Sequence, residues 1–375
     1  MRRYFSLGLI LIFCAVSHAQ EVDWPAYGGS DGGGHYSPAT QINRENVKRL
    51  QQAWVHRSGD FKGGVQSLTE VVSEELQSSR PTSFIGTPIV TQGKMFYCTP
   101  YNRVFALNPA TGEELWVFDP EVDMTQENLT NCRGVSSWGA VTPQGLVCEH
   151  RIVLATLDAR LIVMDGQTGL PCESFGDGGE VDLTQGLTAH IGSEYGVTSA
   201  PAIIGNLIVT GAYVTDSIRQ DIPSGVVRAY DIRSGEFVWG WNPVHPDLPQ
   251  RDAQGKFVAA TTNVWSTISV DRERNLVIVP TGNSSPDYYG GDREGHQDYY
   301  SSSVVALDGT TGEVVWSYQT VHHDIWDFDV PAQPTLTDVT IDGQTRAAVV
   351  QVTKMGLTFV LDLETGEPLH PVEER

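Results

Sequence analysis

The sequence predicts an all-β fold made of repeated small antiparallel sheets, a β-propeller. Three observations carry this. An eleven-residue phrase recurs along the chain, each copy reading as a strand, a tight turn and a second strand. Apolar, β-rich runs stand upstream of several copies. Turns are supplied by 38 Gly and 20 Pro in 375 residues, and no long helical periodicity interrupts them.

The phrase appears as Ala106-Leu-Asn-Pro-Ala-Thr-Gly-Glu-Glu-Leu-Trp116, and returns as Ala229-Tyr-Asp-Ile-Arg-Ser-Gly-Glu-Phe-Val-Trp239 and Ala306-Leu-Asp-Gly-Thr-Thr-Gly-Glu-Val-Val-Trp316. Shorter copies run Val163–Gly169 and Val360–Gly366. An apolar strand ends at Asp or Asn, Gly supplies the positive φ of the turn, and the next strand carries a Trp. That is a hairpin. Upstream strands are expected in Thr87–Tyr97, Ala202–Ala212 and Asn275–Pro280, so each unit is a small sheet with its Trp packed between neighbours. The turn glycines fall at 112, 169, 235, 312 and 366, so the spacing is uneven and long insertions must lie between strands. Only Arg44–Leu50 and Val71–Gln77 read as helical. About five blades' worth of sequence is present. The last copy ends near Arg375 with no closing strand, so an incomplete propeller over residues 20–375 is expected, the rest lying outside this sequence.

A formal net charge of −22 argues against nucleic acid, which needs a basic face, and against docking on anionic lipid. Residues 1–19 read as a secretory signal: Arg2 and Arg3, an apolar run from Leu7 to Val16, then Ser17-His18-Ala19 before the cut. The run is shorter than the ~20 residues that span a bilayer. Export to the periplasm follows. Cleavage leaves Cys98, Cys132, Cys148 and Cys172, an even number that permits disulfides without fixing the pairing. No Cys-x-x-Cys-His motif for c-type haem and no His/Cys cluster with zinc spacing occurs.

The segment Val321-His-His-Asp-Ile-Trp-Asp-Phe-Asp-Val-Pro-Ala-Gln-Pro334, with the repeat, resembles the pyrroloquinoline quinone (PQQ) dehydrogenases, and most nearly their glucose/quinate branch. Trp24-Pro-Ala-Tyr-Gly-Gly, Arg57-Ser-Gly-Asp60, Cys132-Arg-Gly-Val135, Pro280-Thr-Gly-Asn283 and Lys354-Met-Gly356 match in family order. The resemblance implies an eight-bladed propeller with PQQ in its axial channel. It implies oxidation of a sugar, polyol or alcohol, with electrons passed to a membrane quinone or another acceptor. The methanol-type branch carries an adjacent Cys-Cys pair, which is absent here. Leu129 stands where the glucose branch has His, so its substrate does not transfer automatically.

By the same resemblance, Asp327 is the base that takes the hydroxyl proton, and Lys354 stabilises negative charge building on the quinone oxygens. Asp324 and Asp329 orient the loop. His322 and His323 are assigned no chemistry. PQQ is a planar tricarboxylate, so its site needs cations and a flat surface: Arg57 and Arg133 match the cations and Trp265 the stacking floor. A divalent metal, Ca²⁺ or Mg²⁺, takes oxygen donors; Asp216, Asn283, Ser217 and Ser285 match positions near it. Two other readings stay open: a non-enzymatic envelope propeller that binds proteins, and an inactive truncated fragment.

Overall fold

The computed structural model describes residues 22–61, 81–124, 129–188, 192–215, 222–260 and 262–373. The signal segment, the Val71–Gln77 stretch, Asp216 and Ser217 lie outside them. Among the described residues, five antiparallel sheets of three or four strands follow in chain order, with a two-stranded pair, Tyr195–Gly196 and Tyr213–Val214, beside them. The first contains Ile89–Thr91, Lys94–Cys98, Val104–Leu107 and Glu114–Phe118. The second contains Ser136–Gly139, His150–Ala155, Arg160–Asp165 and Glu180–Asp182, and the third Ala202–Ile204, Leu207–Thr210, Val227–Asp231 and Phe237–Trp241. The fourth holds Ser269–Asp271, Leu276–Pro280, Ser303–Asp308 and Val314–Gln319. The fifth is three-stranded: Thr335–Ile341, Gln344–Val352 and Thr358–Asp362. Each is a meander, and the first strands of the second to fifth sheets lie side by side. This is the expected propeller, with five blades. Arg44–Leu50 contains one 3-10 turn, Val47–Arg49.

The strands are apolar on both faces because each inner sheet is covered twice. In the fourth sheet, Val277 and Val279 pack toward Val209, Val227 and Ala229 of the third. Ile278, Val304 and Ala306 point the other way, onto Val349, Phe359 and Leu361 of the fifth. A period of two thus feeds two separate cores.

Local chemistry explains the phrase. The side-chain oxygen of Asp308 accepts the backbone N–H groups of Thr310 and Thr311, both at 2.8 Å, and Gly312 N–H returns to the Asp308 carbonyl at φ +72°. Asn108, Asp165, Asp231 and Asp362 close their turns in the same way. Asp or Asn is required as the turn's acceptor and Gly as its left-handed residue.

Each Trp then docks on the next blade's turn. Trp239 Nε1 donates to Gly309 O at 3.1 Å and its ring lies on Gly312, where a Cβ would overlap it. Trp116 does the same at Gly166 and Gly169, and Trp316 at Leu363 and Gly366. The second sheet has no Trp at this station. There Arg151 Nη1 donates to Ile232 O at 2.6 Å, the carbonyl at the equivalent turn position. Trp54, ahead of the first sheet, donates to Pro109 O at 3.1 Å and packs on Gly112. It thereby holds the blade-docking station on the first sheet's outer face.

Two disulfides form, Cys98–Cys132 and Cys148–Cys172. The segment from Trp24 to Gly33 crosses the inner strands. Trp24 pairs with Val90 of the first sheet, Asp31 O accepts Val270 N at 2.9 Å, and Gly32 O accepts Leu336 N at 2.8 Å. One short segment therefore ties the first, fourth and fifth sheets together.

Candidate active site

The site forms at one end of the sheets, where chain enters the first strands and leaves the second. Arg133, Trp265, Asp327 and Asp329 precede first strands; Asn283 and Lys354 follow second strands. Hydrogen bonds between neighbouring blades fix this end. Arg133 N donates to Thr198 O at 2.9 Å, Ser199 Oγ to Trp265 O at 2.7 Å, and Ser266 Oγ to Pro331 O at 2.7 Å.

The His-His-Asp loop is organised by Asp324. Its fully buried carboxylate accepts Trp326 N at 3.0 Å, Phe328 N at 2.9 Å and the Ser302 hydroxyl at 2.6 Å. Asp327 and Asp329 follow with φ of +54° and +32°. Left-handed backbone at two non-glycine residues in one loop stores strain that the anchors around Asp324 must hold.

Asp329 ties the cluster together. Its carboxylate accepts Lys354 Nζ at 2.8 Å, Trp265 Nε1 at 3.3 Å and the backbone N–H of Asn283. Lys354 also donates to Asp327 O at 2.9 Å and lies 3.4 Å from Asp327 Oδ2. Burial alone would depress the Lys354 ammonium; Asp329 and then Asp327 outweigh it and hold it above the usual lysine range. Two cations lie near the indole of Trp265: the Arg133 guanidinium 5.0 Å and the Lys354 ammonium 5.9 Å from the ring centroid. Burial pushes the Arg133 guanidinium down, and among the described residues no carboxylate pairs with it. Its Nη1 donates to Thr198 Oγ1 at 2.5 Å. The Cys98–Cys132 disulfide pins the residue next to it.

The structure thus brings together Asp327, Lys354, Trp265, Arg133 and Asn283. Arg57 is exposed, and no contact among the described residues joins it to this cluster. Asn283 and Ser285 are buried. The Asn283 amide oxygen accepts Ser284 N at 2.7 Å and Ser301 Oγ at 3.1 Å. Among the described residues no group of three His, Cys, Asp or Glu side chains has the arrangement of a metal site. Asp329 was read from the sequence only as a loop residue. Its place in the same short acidic loop as Asp324 and Asp327 is the one signal that could have marked it. Thr198 and Ser199, which support Arg133 and Trp265, carried no signal at all.

This geometry has relatives. Residues 24–375 match the family described as PQQ: Glucose/ethanol/alcohol dehydrogenase, beta-propeller domain. The chain belongs to this family. It is 38% identical over 375 residues to the quinate/shikimate dehydrogenase (quinone) of Acinetobacter baylyi, covering 95% of this chain and 44% of the relative. It is 39% identical over 357 residues to the glycerol dehydrogenase large subunit of Gluconobacter thailandicus, covering 94% and 47%. Among solved structures, a quinohemoprotein alcohol dehydrogenase of Pseudomonas putida HK5 superposes with a TM-score of 0.74 at 27% identity, over 93% of this chain and 47% of that one. The chain spans about half the length of the curated relatives it matches.

The donor set suits the family's cofactor. A guanidinium with no acidic partner among the described residues, and beside the same indole an ammonium held by Asp329, match a planar polycarboxylate.

Proposed function

We propose that this chain carries catalytic machinery of a PQQ-dependent dehydrogenase that oxidises the CH–OH group of a sugar, polyol or alcohol. The observation that carries the reading is the indole of Trp265 set beside Arg133 and Lys354, with the Asp327 carboxylate 3.4 Å from the Lys354 ammonium. When bound, PQQ supplies the two-electron acceptor. Trp265 offers its ring a stacking face, Arg133 meets a carboxylate, and Lys354 meets the quinone oxygens, where an oriented cation is worth about 10²–10³ in rate. Asp327 accepts the proton of the substrate hydroxyl. Asp329 holds Lys354 and Trp265 at fixed distances from that base. A divalent cation, Ca²⁺ or Mg²⁺, takes oxygen donors; Asn283 and Ser285, with Asp216 and Ser217, are assigned to it by family resemblance. Arg57 is assigned to a PQQ carboxylate on the same ground.

The first 19 residues direct export to the periplasm, and electrons leave to a membrane quinone or a comparable acceptor. That the Acinetobacter relative is a quinone-linked quinate/shikimate dehydrogenase supports this direction. The test is a substrate panel: protein loaded with PQQ and Ca²⁺, offered aldoses, cyclic polyols and primary alcohols, with reduction of an artificial dye followed. Oxidation of at least one class is expected; a flat response to all three contradicts the reading.

A further inference from the structure

The loop between the second and third strands of the fourth sheet packs against the His-His-Asp loop. It is built around Arg293, whose side chain is completely shielded from solvent. Its Nε and Nη2 donate to Pro286 O at 3.0 and 2.8 Å, and Nη2 also to Asp287 O at 3.2 Å. Its Nη1 donates to Asp298 Oδ1 at 3.0 Å. The other Asp298 oxygen bonds His323 Nδ1 at 2.7 Å. Gly290 lies so close to the His323 ring that a Cβ would overlap it. A buried cation therefore grips the two residues before Tyr288, and His323 fastens the same grip to the loop that bears Asp327. At the end of this construction the Tyr288 hydroxyl donates to Asp327 Oδ2 at 3.4 Å, and Tyr288 is 67% exposed.

Four hydrogen bonds to a buried guanidinium are costly to arrange in a surface loop, unless the loop must present something at a fixed place. We propose that Tyr288 is a specificity-determining residue. Its phenol holds a second hydroxyl of the substrate next to the one Asp327 deprotonates, and His323 is the residue that positions it. Tyr288 Oη is within hydrogen-bond reach of the Asp327 carboxylate, so a hydroxyl held by the phenol lies next to one held by Asp327. The inference rests on alcohol oxidation at Asp327, and it gives the second histidine of the His-His-Asp segment a task.

The test uses protein loaded with PQQ and Ca²⁺, glucose and ethanol as probes, and the variants Tyr288→Phe, His323→Ala and His323→Asn. Saturation-transfer NMR reads binding, dye reduction reads kcat/KM, and fluorescence reads PQQ retention. Tyr288→Phe and His323→Ala are each expected to lower the glucose-to-ethanol ratio of kcat/KM, and glucose binding, about tenfold, the effect of one lost hydrogen bond. PQQ retention should not change. His323→Asn, which keeps a donor for Asp298, should restore the ratio. An unchanged ratio in Tyr288→Phe overturns the proposal while leaving alcohol oxidation intact. If neither probe is oxidised, the oxidation reading fails. NMR then still decides: Tyr288-dependent glucose binding upholds the subsite, and binding that is absent or indifferent to Tyr288 overturns it.

Discussion

Asp327→Asn is expected to cut dehydrogenase turnover of the PQQ- and Ca²⁺-loaded protein by about 10²–10⁴-fold, the usual worth of a general base, with PQQ still bound. The substitution isolates proton acceptance. Asn is nearly isosteric with Asp, and it is among the few residues that tolerate the left-handed conformation found here, φ +54°. The loop keeps its anchors, because Asp324 holds Trp326 N and Phe328 N on its own. Lys354 keeps its shorter bond to Asp329 and its bond to the Asp327 carbonyl. An amide accepts no proton at working pH, so the rate should fall with little change in thermal stability. Turnover within a few-fold of the parent would remove Asp327 from the role of base.

Trp239→Ala is expected to destabilise the protein by about 3–5 kcal/mol, the range for emptying a buried aromatic site. Trp239 is 5% exposed, packs among apolar residues of the third and fourth sheets, and donates to Gly309 O. Its removal opens a void between blades and strands a carbonyl. Trp239→Phe should recover most of the packing but not the hydrogen bond, and so fall between the two. Trp54→Ala makes a useful contrast. Trp54 borders an open apolar cleft of about 400 Å³ with Phe61, Phe84, Met95 and Tyr97, so less packing is lost there. Chemical denaturation of the three variants measures the order; equal losses for Trp54 and Trp239 would refute the docking account.

The features legible in the sequence were those set by local chemistry. Asp, Gly and Trp recur because the turn needs a side-chain acceptor, a positive φ and a ring to cover it, all within eleven residues. The His-His-Asp segment was legible as one loop for the same reason, and the even cysteine count permitted disulfides. Their partners were not legible, because Cys98 and Cys132 meet only once the first blade has folded against the chain that follows it. Arg151 in place of a Trp meets a residue 81 positions away, and Asp329, which joins Lys354 to Trp265, stands 25 positions from the one and 64 from the other. Arg57 matched a family motif, and motif position alone says nothing of distance; the residue is exposed. The Tyr288 loop needed Arg293, Asp298 and His323 in one place before it meant anything.

The most direct test of the central claim is an equilibrium titration of PQQ into the Ca²⁺-containing protein, followed by quenching of tryptophan fluorescence. Saturable one-to-one binding is expected, weakened about 10–100-fold by Arg133→Ala, the cost of a charge-assisted contact, and weakened again by Trp265→Ala. Binding that never saturates, or that Arg133→Ala and Trp265→Ala leave unchanged, would contradict the assignment of this cluster to PQQ.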